Sequence, residues 1–141
     1  MTKTARDIMS EAPRSCSPGD NLAAVARMMR DDDIGDVPVI DEQSRLVGMI
    51  TDRDIVVRCV AAGDTPRDIL VRDCMTAPAL WLDRDASLEE VANLMIAQRV
   101  RRVPITDGDN VLCGIVSLAD MEHSNARQLR DSISRSVATP H

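Results

Sequence analysis

The chain has 141 residues, of which 44% are hydrophobic, but it contains no Phe, no Tyr and a single Trp. This length suffices for one domain with a core of Val, Ile, Leu, Met and Ala, and the scarcity of aromatic residues argues against a base-stacking surface for nucleic acids. The formal net charge of −6 likewise gives no attraction to a phosphate backbone or an anionic membrane.

Apolar spacing and turn residues predict the elements of the first half. Residues 5–9 are a short apolar piece before a Pro-containing stretch, which indicates a strand or turn. Apolar residues recur at helical spacing over 21–32, with Asn21 as the N-cap. Strands are predicted at 37–40 and 46–50 as a hairpin, followed from Thr51 by a helix that Gly63 would end.

The second half has the same order of elements. Thr65-Pro66 predicts one turn of helix in a connector, because proline fits the first helical position. Ser87 with Glu90 three residues later is a capping box, which fixes the start of the next helix. Strands are predicted at 103–106 and 112–116, with a helix from Leu118.

The last residues carry a narrow apolar stripe at a spacing of four, formed by Leu129, Ile133 and Val137. The stripe indicates either an extension of the last helix against a partner or a frayed tail. Residues 139–141 are expected to be disordered.

The two halves are related by an internal repeat. Residues 37–54, VPVIDEQSRLVGMITDRD, match residues 103–120, VPITDGDNVLCGIVSLAD, at an offset of 66 (120 − 54). Ungapped pairing of residues 5–55 with 71–121 gives 13 identities in 51 pairs, where composition alone would give about three. We therefore predict repeat one at 1–62, a connector at 63–70, repeat two at 71–123 and a tail at 124–141, each repeat running strand, helix, strand, strand, helix.

The four cysteines, Cys16, Cys59, Cys74 and Cys113, lie far apart without a C-x-x-C motif, so buried free thiols are expected. A redox- or metal-responsive protein that uses them with His123 is the alternative. The N-terminus lacks an apolar signal region, and no run approaches the ~18 apolar residues of a membrane span. We expect a cytoplasmic protein.

No nucleophile, base and orienting group stand together in the sequence, and there is no Gly-rich phosphate loop. The repeats share a hydroxyl residue and an aspartate at each strand-to-helix junction, Thr51-x-x-Asp54 and Ser117-x-x-Asp120. Such a pair is typical of a helix cap. Alternatively, the carboxylate could accept hydrogen bonds from a ribose diol, since it offers two acceptor oxygens and no donor.

Three arginines, Arg99, Arg101 and Arg102, precede Val103-Pro104. Charged residues before a strand are commonly solvated, but an arginine pair can also bind a phosphate in a bidentate manner. Both this pair and the Ser117/Asp120 pair are predicted at the ends of adjacent hairpin strands, where they could converge on one site.

The order D-x-M-S/T, helix, V-P-V/I, then L-x-G with two apolar residues and T/S-x-x-D, present twice, resembles a tandem CBS-domain pair, the Bateman module. The resemblance spans about residues 5–123. It implies an α+β fold in which two β-α-β-β-α repeats pack about a pseudo-twofold axis. It also implies that adenosine-containing ligands bind in two clefts between the repeats.

The resemblance assigns site residues by their position in the motif. One cleft would combine Asp120 and Ser117 for the ribose, Arg101 and Arg102 for a phosphate, and Ser10, Ile34, Gly35, Val37 and Pro38 for the adenine. The other would combine Asp54 and Thr51 with Thr76, Val100, Val103 and Pro104, and Arg53 could offset the charge of Asp36, which occupies the position equivalent to Arg102. We therefore predict that the Asp120 cleft binds phosphorylated ligands more tightly.

These features predict a non-enzymatic regulatory module that senses AMP, ADP, ATP or a related adenosyl compound and requires no cofactor or metal. The resemblance implies a homodimer, and the signal would pass through dimer rearrangement or to an unidentified protein partner. A purely structural interaction module with empty clefts is the remaining alternative.

Overall fold

A computed structural model describes residues 3–124 and Ile133. The chain forms two compact units, one of Met1–Pro13 with Trp81–His141 and the other of Arg14–Leu80. We refer to them as the split unit and the continuous unit. Each unit contains the main body of one sequence repeat together with a short N-terminal piece of the other repeat.

The mixed helix and strand content confirms the predicted α+β class. The helices are α1 (Ala5–Ile8), α2 (Leu22–Asp32), α3 (Asp52–Ile55) followed by a π-helical turn (Val56–Val60), a 3₁₀ turn (Pro66–Asp68), α4 (Val71–Cys74), α5 (Leu88–Gln98) and α6 (Leu118–His123). The strands are β1 (Ser10–Glu11), β2 (Asp36–Ile40), β3 (Leu46–Thr51), β4 (Leu82–Asp83), β5 (Arg102–Thr106) and β6 (Leu112–Ser117).

Local caps determine most helix boundaries. Asn21 Oδ1 accepts a hydrogen bond from Ala24 N at 2.9 Å, and Ser87 Oγ accepts one from Glu90 N at 3.1 Å, so both predicted N-caps are confirmed. The predicted entry strand is β1, but residues 5–8 before it form the helix α1, which the sequence did not indicate. Thr4 and Asp7 form a capping box there, in which Thr4 N donates to Asp7 Oδ2 at 2.7 Å and starts α1.

The split unit is built on a four-stranded sheet in the order β1-β6-β5-β4. β5 and β6 form the predicted antiparallel hairpin, β1 pairs antiparallel with β6, and β4 pairs parallel with β5. Apolar side chains from α1, α5, α6 and the hairpin form its core, which includes Ala5, Met95, Val103 and Met121. Ile133 is helical and buried in this core, whereas Leu129 and Val137 of the predicted stripe lie outside the described residues.

The continuous unit contains the β2–β3 hairpin, covered by α2, α3 and α4. Its core includes Leu22, Val25, Val37 and Ile50, which are all buried, so apolar faces predicted from spacing do face inward. Gly63 adopts a positive φ of 83° at the end of the helical run, where a residue without a Cβ is favoured, as predicted.

The short N-terminal piece of each repeat pairs with the hairpin of the other repeat. Ser10 of repeat one lies opposite Ile115 on β6, and Thr76 of repeat two lies opposite Met49 on β3. The two pairings are related by the offset of 66 (10 + 66 = 76 and 49 + 66 = 115). We call residues 4–11 and 70–77 the exchanged segments.

Candidate functional site

The Thr51/Asp54 junction lies where β3 runs into α3. Thr51 N donates to Asp54 Oδ2 at 3.0 Å, and Asp54 N donates to Thr51 Oγ1 at 3.0 Å. Both residues are partly buried. A hydroxyl followed by an acid at this spacing satisfies two donors at the helix start, so the predicted capping role is observed.

The Ser117/Asp120 junction repeats this geometry between β6 and α6. Ser117 N donates to Asp120 Oδ2 at 2.8 Å, and Asp120 N donates to Ser117 Oγ at 3.1 Å. At both junctions the cap uses Oδ2 of the aspartate. Capping therefore does not exhaust the acceptor capacity of either carboxylate, and it is compatible with a second role for Oδ1.

Arg101 and Arg102 lie beside the Ser117/Asp120 junction. Arg102 is the register partner of Ser117 across the β5–β6 hairpin, and Leu118 N donates to Arg101 O at 2.8 Å. Arg101 is exposed and Arg102 is partly buried. Arg99 instead ends α5 in a left-handed conformation, with φ of 56°. The backbone of two arginines therefore lies beside the junction of the split unit.

At the equivalent positions of the continuous unit, Gly35 and Asp36 replace the two arginines. Asp36 is the register partner of Thr51, and Asp52 N donates to Gly35 O at 2.9 Å. A Cβ on Gly35 would lie 3.0 Å from Asp52 Oδ2, so this carboxylate packs over the glycine. The two junctions share one capping geometry but differ in their electrostatic surroundings.

The exchanged segments bring one further hydroxyl residue into each unit. Thr76 N donates to Met49 O at 2.8 Å, and Met49 N donates to Thr76 O at 2.9 Å, two residues before Thr51 on β3. Ser10 occupies the matching place opposite Ile115, two residues before Ser117. Thr76 and Ser10 are both exposed.

The predicted site residues are distributed between the two units. The split unit contains Ser10, Val100, Arg101, Arg102, Val103, Pro104, Ser117 and Asp120, and the continuous unit contains Ile34, Gly35, Val37, Pro38, Thr51, Arg53, Asp54 and Thr76. Each unit thus combines one hydroxyl–aspartate junction, one pre-proline strand and one exchanged hydroxyl residue. The predicted grouping of each aspartate with a pre-proline strand from the other repeat stays a prediction.

Arg58 was not among the site residues predicted from the sequence. Its Nε lies 3.8 Å from Asp54 Oδ1, and its Nη1 donates to Cys74 O at 3.1 Å and Met75 O at 3.2 Å. The i, i+4 spacing from Asp54 on a helix could have indicated the first of these contacts. The contacts with residues 74 and 75 arise from the exchange of segments, which spacing does not reveal.

The four cysteines are free thiols, and Cys16, Cys59 and Cys74 are buried. Burial raises the pKa of Cys16 from 9.0 to about 12, assisted by the nearby carboxylate of Asp20. Burial also raises the pKa values of the other three thiols. The thiolate is the reactive and metal-binding form, so these surroundings disfavour both reactions near neutral pH.

Within residues 3–124 and Ile133, no cluster of three or more His, Cys, Asp or Glu side chains is arranged to hold a metal ion. Across the same residues, no helix has the length and apolar character needed to cross a bilayer.

Comparison with known proteins identifies the family. A family model of the CBS domain matches residues 5–61 and 71–123. The chain is 39% identical over 118 residues to hypoxic response protein 1 of Mycobacterium tuberculosis, an alignment that covers 84% of this chain and 82% of that protein. A crystal structure of hypoxic response protein I with two coordinated zinc ions matches with a TM-score of 0.80 at 38% identity, over 86% of this chain and 98% of that one.

An uncharacterized protein of Methanopyrus kandleri is 34% identical over 105 residues, which is 74% of this chain but 54% of that protein, so the chain spans about half of this relative. A CBS-domain pair solved in complex with 5-methylthioadenosine and S-adenosyl-L-methionine matches with a TM-score of 0.75 at 25% identity, covering 86% of this chain and 98% of that one. The two matches of the family model fall on the two sequence repeats, and the chain therefore belongs to the CBS-domain family.

Proposed function

We propose that this protein is a non-enzymatic regulatory module that binds an adenine nucleotide or a related adenosyl compound at its hydroxyl–aspartate junctions. One observation carries the proposal. In each unit the junction, a pre-proline strand and an exchanged Ser or Thr are brought onto neighbouring strands. The similar CBS-domain pair that binds 5-methylthioadenosine and S-adenosyl-L-methionine supports this ligand class.

The junction chemistry suits a ribose. Oδ2 of Asp120 accepts a hydrogen bond from Ser117 N at 2.8 Å, which holds this oxygen at the start of α6. Its Oδ1 then serves as an acceptor for a vicinal diol, and the Ser117 hydroxyl adds a third polar contact. Asp54 and Thr51 would act in the same way in the continuous unit, and the adenine of each ligand would lie against a pre-proline strand.

The charges predict that the junctions differ in ligand preference. Arg101 and Arg102 beside Ser117 supply guanidinium groups suited to a phosphate, whereas Asp36 occupies the matching place beside Thr51. The Asp120 site should therefore bind AMP, ADP or ATP more tightly than the Asp54 site does.

The proposal is tested by calorimetric titration of AMP, ATP and S-adenosylmethionine into the wild type, Asp120→Ala and Asp54→Ala. A charged hydrogen-bond acceptor contributes about 1.5–3 kcal/mol, so Asp120→Ala should weaken nucleotide binding by roughly 10- to 100-fold. Glu90→Ala is the matched control, because it breaks the capping box of α5 without altering either junction.

Absence of binding by the wild type for every compound would overturn the sensor proposal in favour of a structural interaction module. A loss of AMP binding in Asp54→Ala with none in Asp120→Ala would contradict the ranking of the two sites.

We further propose that the protein is a homodimer. Val56, Val57 and Val60 on the π-helical turn are 57%, 50% and 54% exposed, which is unusual for apolar residues on one short helical segment. Covering this valine patch with a second copy would remove it from water. Sedimentation equilibrium should give a dimer that Val57→Lys dissociates and Leu80→Lys, an exposed control, does not. A monomeric wild type would contradict this.

A metal-responsive function is the second candidate, favoured by the two zinc ions in the structure of hypoxic response protein I. The raised thiol pKa values and the lack of a ligand cluster in the described part of the chain argue against it. Elemental analysis of the purified protein decides the matter, because stoichiometric zinc would favour the metal role over the adenosyl role.

A further inference from the structure

Arg58 makes three contacts that its place on an exposed helical turn does not require. Its Nη1 donates to two successive backbone carbonyls, Cys74 O at 3.1 Å and Met75 O at 3.2 Å. Its Nε faces Asp54 Oδ1 at 3.8 Å. All of these groups belong to the continuous unit, so the contacts lie within one compact body.

These contacts join two parts of the Thr51/Asp54 site. One part is the aspartate at the start of α3. The other is the exchanged segment that contains Met75 and Thr76. The backbone of Thr76 donates a hydrogen bond to Met49 on β3 and accepts one from it. A guanidinium group has a planar, rigid fork of donors, so it can hold a carboxylate and a backbone segment in one fixed relation.

The arginine also completes the orientation of Asp54. Thr51 N donates to Oδ2 at 3.0 Å, and Arg58 Nε attracts Oδ1 from 3.8 Å, which biases the carboxylate towards one orientation and leaves Oδ1 able to accept a hydrogen bond. The Asp54 side chain is 13% exposed, and it is therefore better shielded from solvent than the arginine, at 49%. A carboxylate whose orientation is restrained before binding loses less freedom when it accepts a diol.

Repeat two replaces this arginine with a short hydroxyl residue. The position 66 residues after Arg58 is Ser124. Its hydroxyl donates to Met121 O, three residues earlier in the chain, at 2.8 Å. A serine cannot extend from this position across to the other exchanged segment as an arginine does. The two junctions therefore differ in how their aspartates are positioned as well as in charge.

We propose that Arg58 is a positioning residue that preorganises the Thr51/Asp54 site by tying Asp54 to the segment that carries Thr76. The proposal rests on the proposed adenosyl-binding function. An isolated surface ion pair contributes little, so the effect should come from the fixed geometry and the two carbonyl bonds rather than from the Asp54 attraction alone. Loss of the arginine should lower the affinity of this site and loosen the exchanged segment.

Binding is measured in the Asp120→Ala background, so that titration of AMP and S-adenosylmethionine reports on the Asp54 site. Arg58→Ala should weaken binding about tenfold. Arg58→Lys retains the charge and a single donor group, and it should recover part of the loss. Arg27→Ala, an exposed arginine on α2 of the same unit with no predicted role in the site, is the control and should leave the affinity unchanged.

Hydrogen exchange of the ligand-free protein gives the second measurement. The Thr76 and Met49 amides each donate to the other residue's carbonyl, and their exchange should accelerate in Arg58→Ala but not in Arg27→Ala. Faster exchange without a change in affinity would make Arg58 purely structural and overturn the positioning role. Unchanged exchange and unchanged affinity would overturn both parts of the proposal.

Two further outcomes separate this proposal from the proposed function. If the wild type binds a probe but the Asp120→Ala background binds none, the Asp54 site is inactive and only the Arg58 proposal fails. If the wild type binds no probe, the proposed function fails and the ligand role of Arg58 fails with it. Hydrogen exchange at the Thr76 and Met49 amides would then still establish whether Arg58 holds the exchanged segment against β3.

Discussion

Thr106 is a buried residue at the end of β5, fully excluded from solvent, whose hydroxyl has no hydrogen-bond partner among the described residues. A buried hydroxyl without a partner costs about 1–3 kcal/mol of desolvation. Its equivalent in repeat one, 66 positions earlier, is the apolar Ile40. The unpaired Thr106 hydroxyl therefore lowers the stability of the split unit.

Thr106→Val should raise the free energy of unfolding by about 1 kcal/mol, because valine keeps the shape and removes the unpaired hydroxyl. The midpoint of thermal unfolding would rise by roughly 3 °C. Thr51→Val is the control with the opposite sign, since the Thr51 hydroxyl caps α3 and its loss should cost about 1 kcal/mol. A lower midpoint for Thr106→Val would mean that the hydroxyl has a partner in the folded protein.

At the scale of elements, the methionine of each D-x-M motif packs against the glycine of the L-x-G motif on the hairpin of the other repeat. A Cβ on Gly48 would lie 2.7 Å from Met75 Sδ and 3.0 Å from Thr76 O, and Gly114 has the same relation to Met9. Glycine allows the exchanged segment to approach the strand closely enough to pair with it. The two sequence motifs are thus the two sides of one contact.

Gly48→Ala should destabilise the protein by about 1–3 kcal/mol, because the added methyl group overlaps a backbone carbonyl as well as the methionine. Gly108→Ala is the matched control, since nothing lies within 4 Å of its Cβ position. Equal unfolding midpoints for the two variants in a chemical denaturation experiment would show that the exchanged segment does not pack closely on β3.

At the scale of the whole molecule, the first thirteen residues belong to the unit formed by the end of the chain. Ala5 is fully buried in the core of that unit, and Ala5 N and Arg6 N donate to Ala86 O and Arg84 O at 2.9 and 3.0 Å. β1 forms one edge of its sheet. The split unit therefore depends on residues that are distant in sequence.

Deletion of residues 1–13 should lower the free energy of unfolding by at least about 3 kcal/mol, because it removes the packing of Ala5, Ile8 and Met9. Hydrogen exchange should rise first in β6, which loses its β1 neighbour. The β2–β3 hairpin lies in the other unit and is the internal control. Equal loss of protection in both hairpins would contradict an effect that starts in the split unit.

Much of the fold was predictable from the sequence, because its determinants are local or repeated. The offset of 66 identifies two equivalent halves, and apolar spacing with the caps at Asn21 and Ser87 locates α2 and α5. Helix 5–8 was missed, since four residues are too few to show a helical period and its cap is an ordinary Thr–Asp pair. The family could be recognised because its motifs occur twice in register.

The residues of the candidate site were located by the repeat, but their surroundings were not. From the sequence, capping and ligand binding were alternatives for Asp54 and Asp120. The structure makes them compatible, because each cap uses only one carboxylate oxygen. Whether each aspartate binds a ligand stays a prediction.

The sequence by itself determined the α+β class, the two repeats, the hairpins and the positions of the hydroxyl–aspartate pairs, because hydrophobic period and caps act within a few residues. Only the tertiary structure decided that each D-x-M segment pairs with the other repeat's hairpin, and that Arg58 reaches Cys74 and Met75. Strand pairing joins residues that are far apart in the chain. The apolar pattern of each D-x-M segment would suit either hairpin. Which hairpin it pairs with therefore depends on tertiary packing, which the local spacing of apolar residues does not determine.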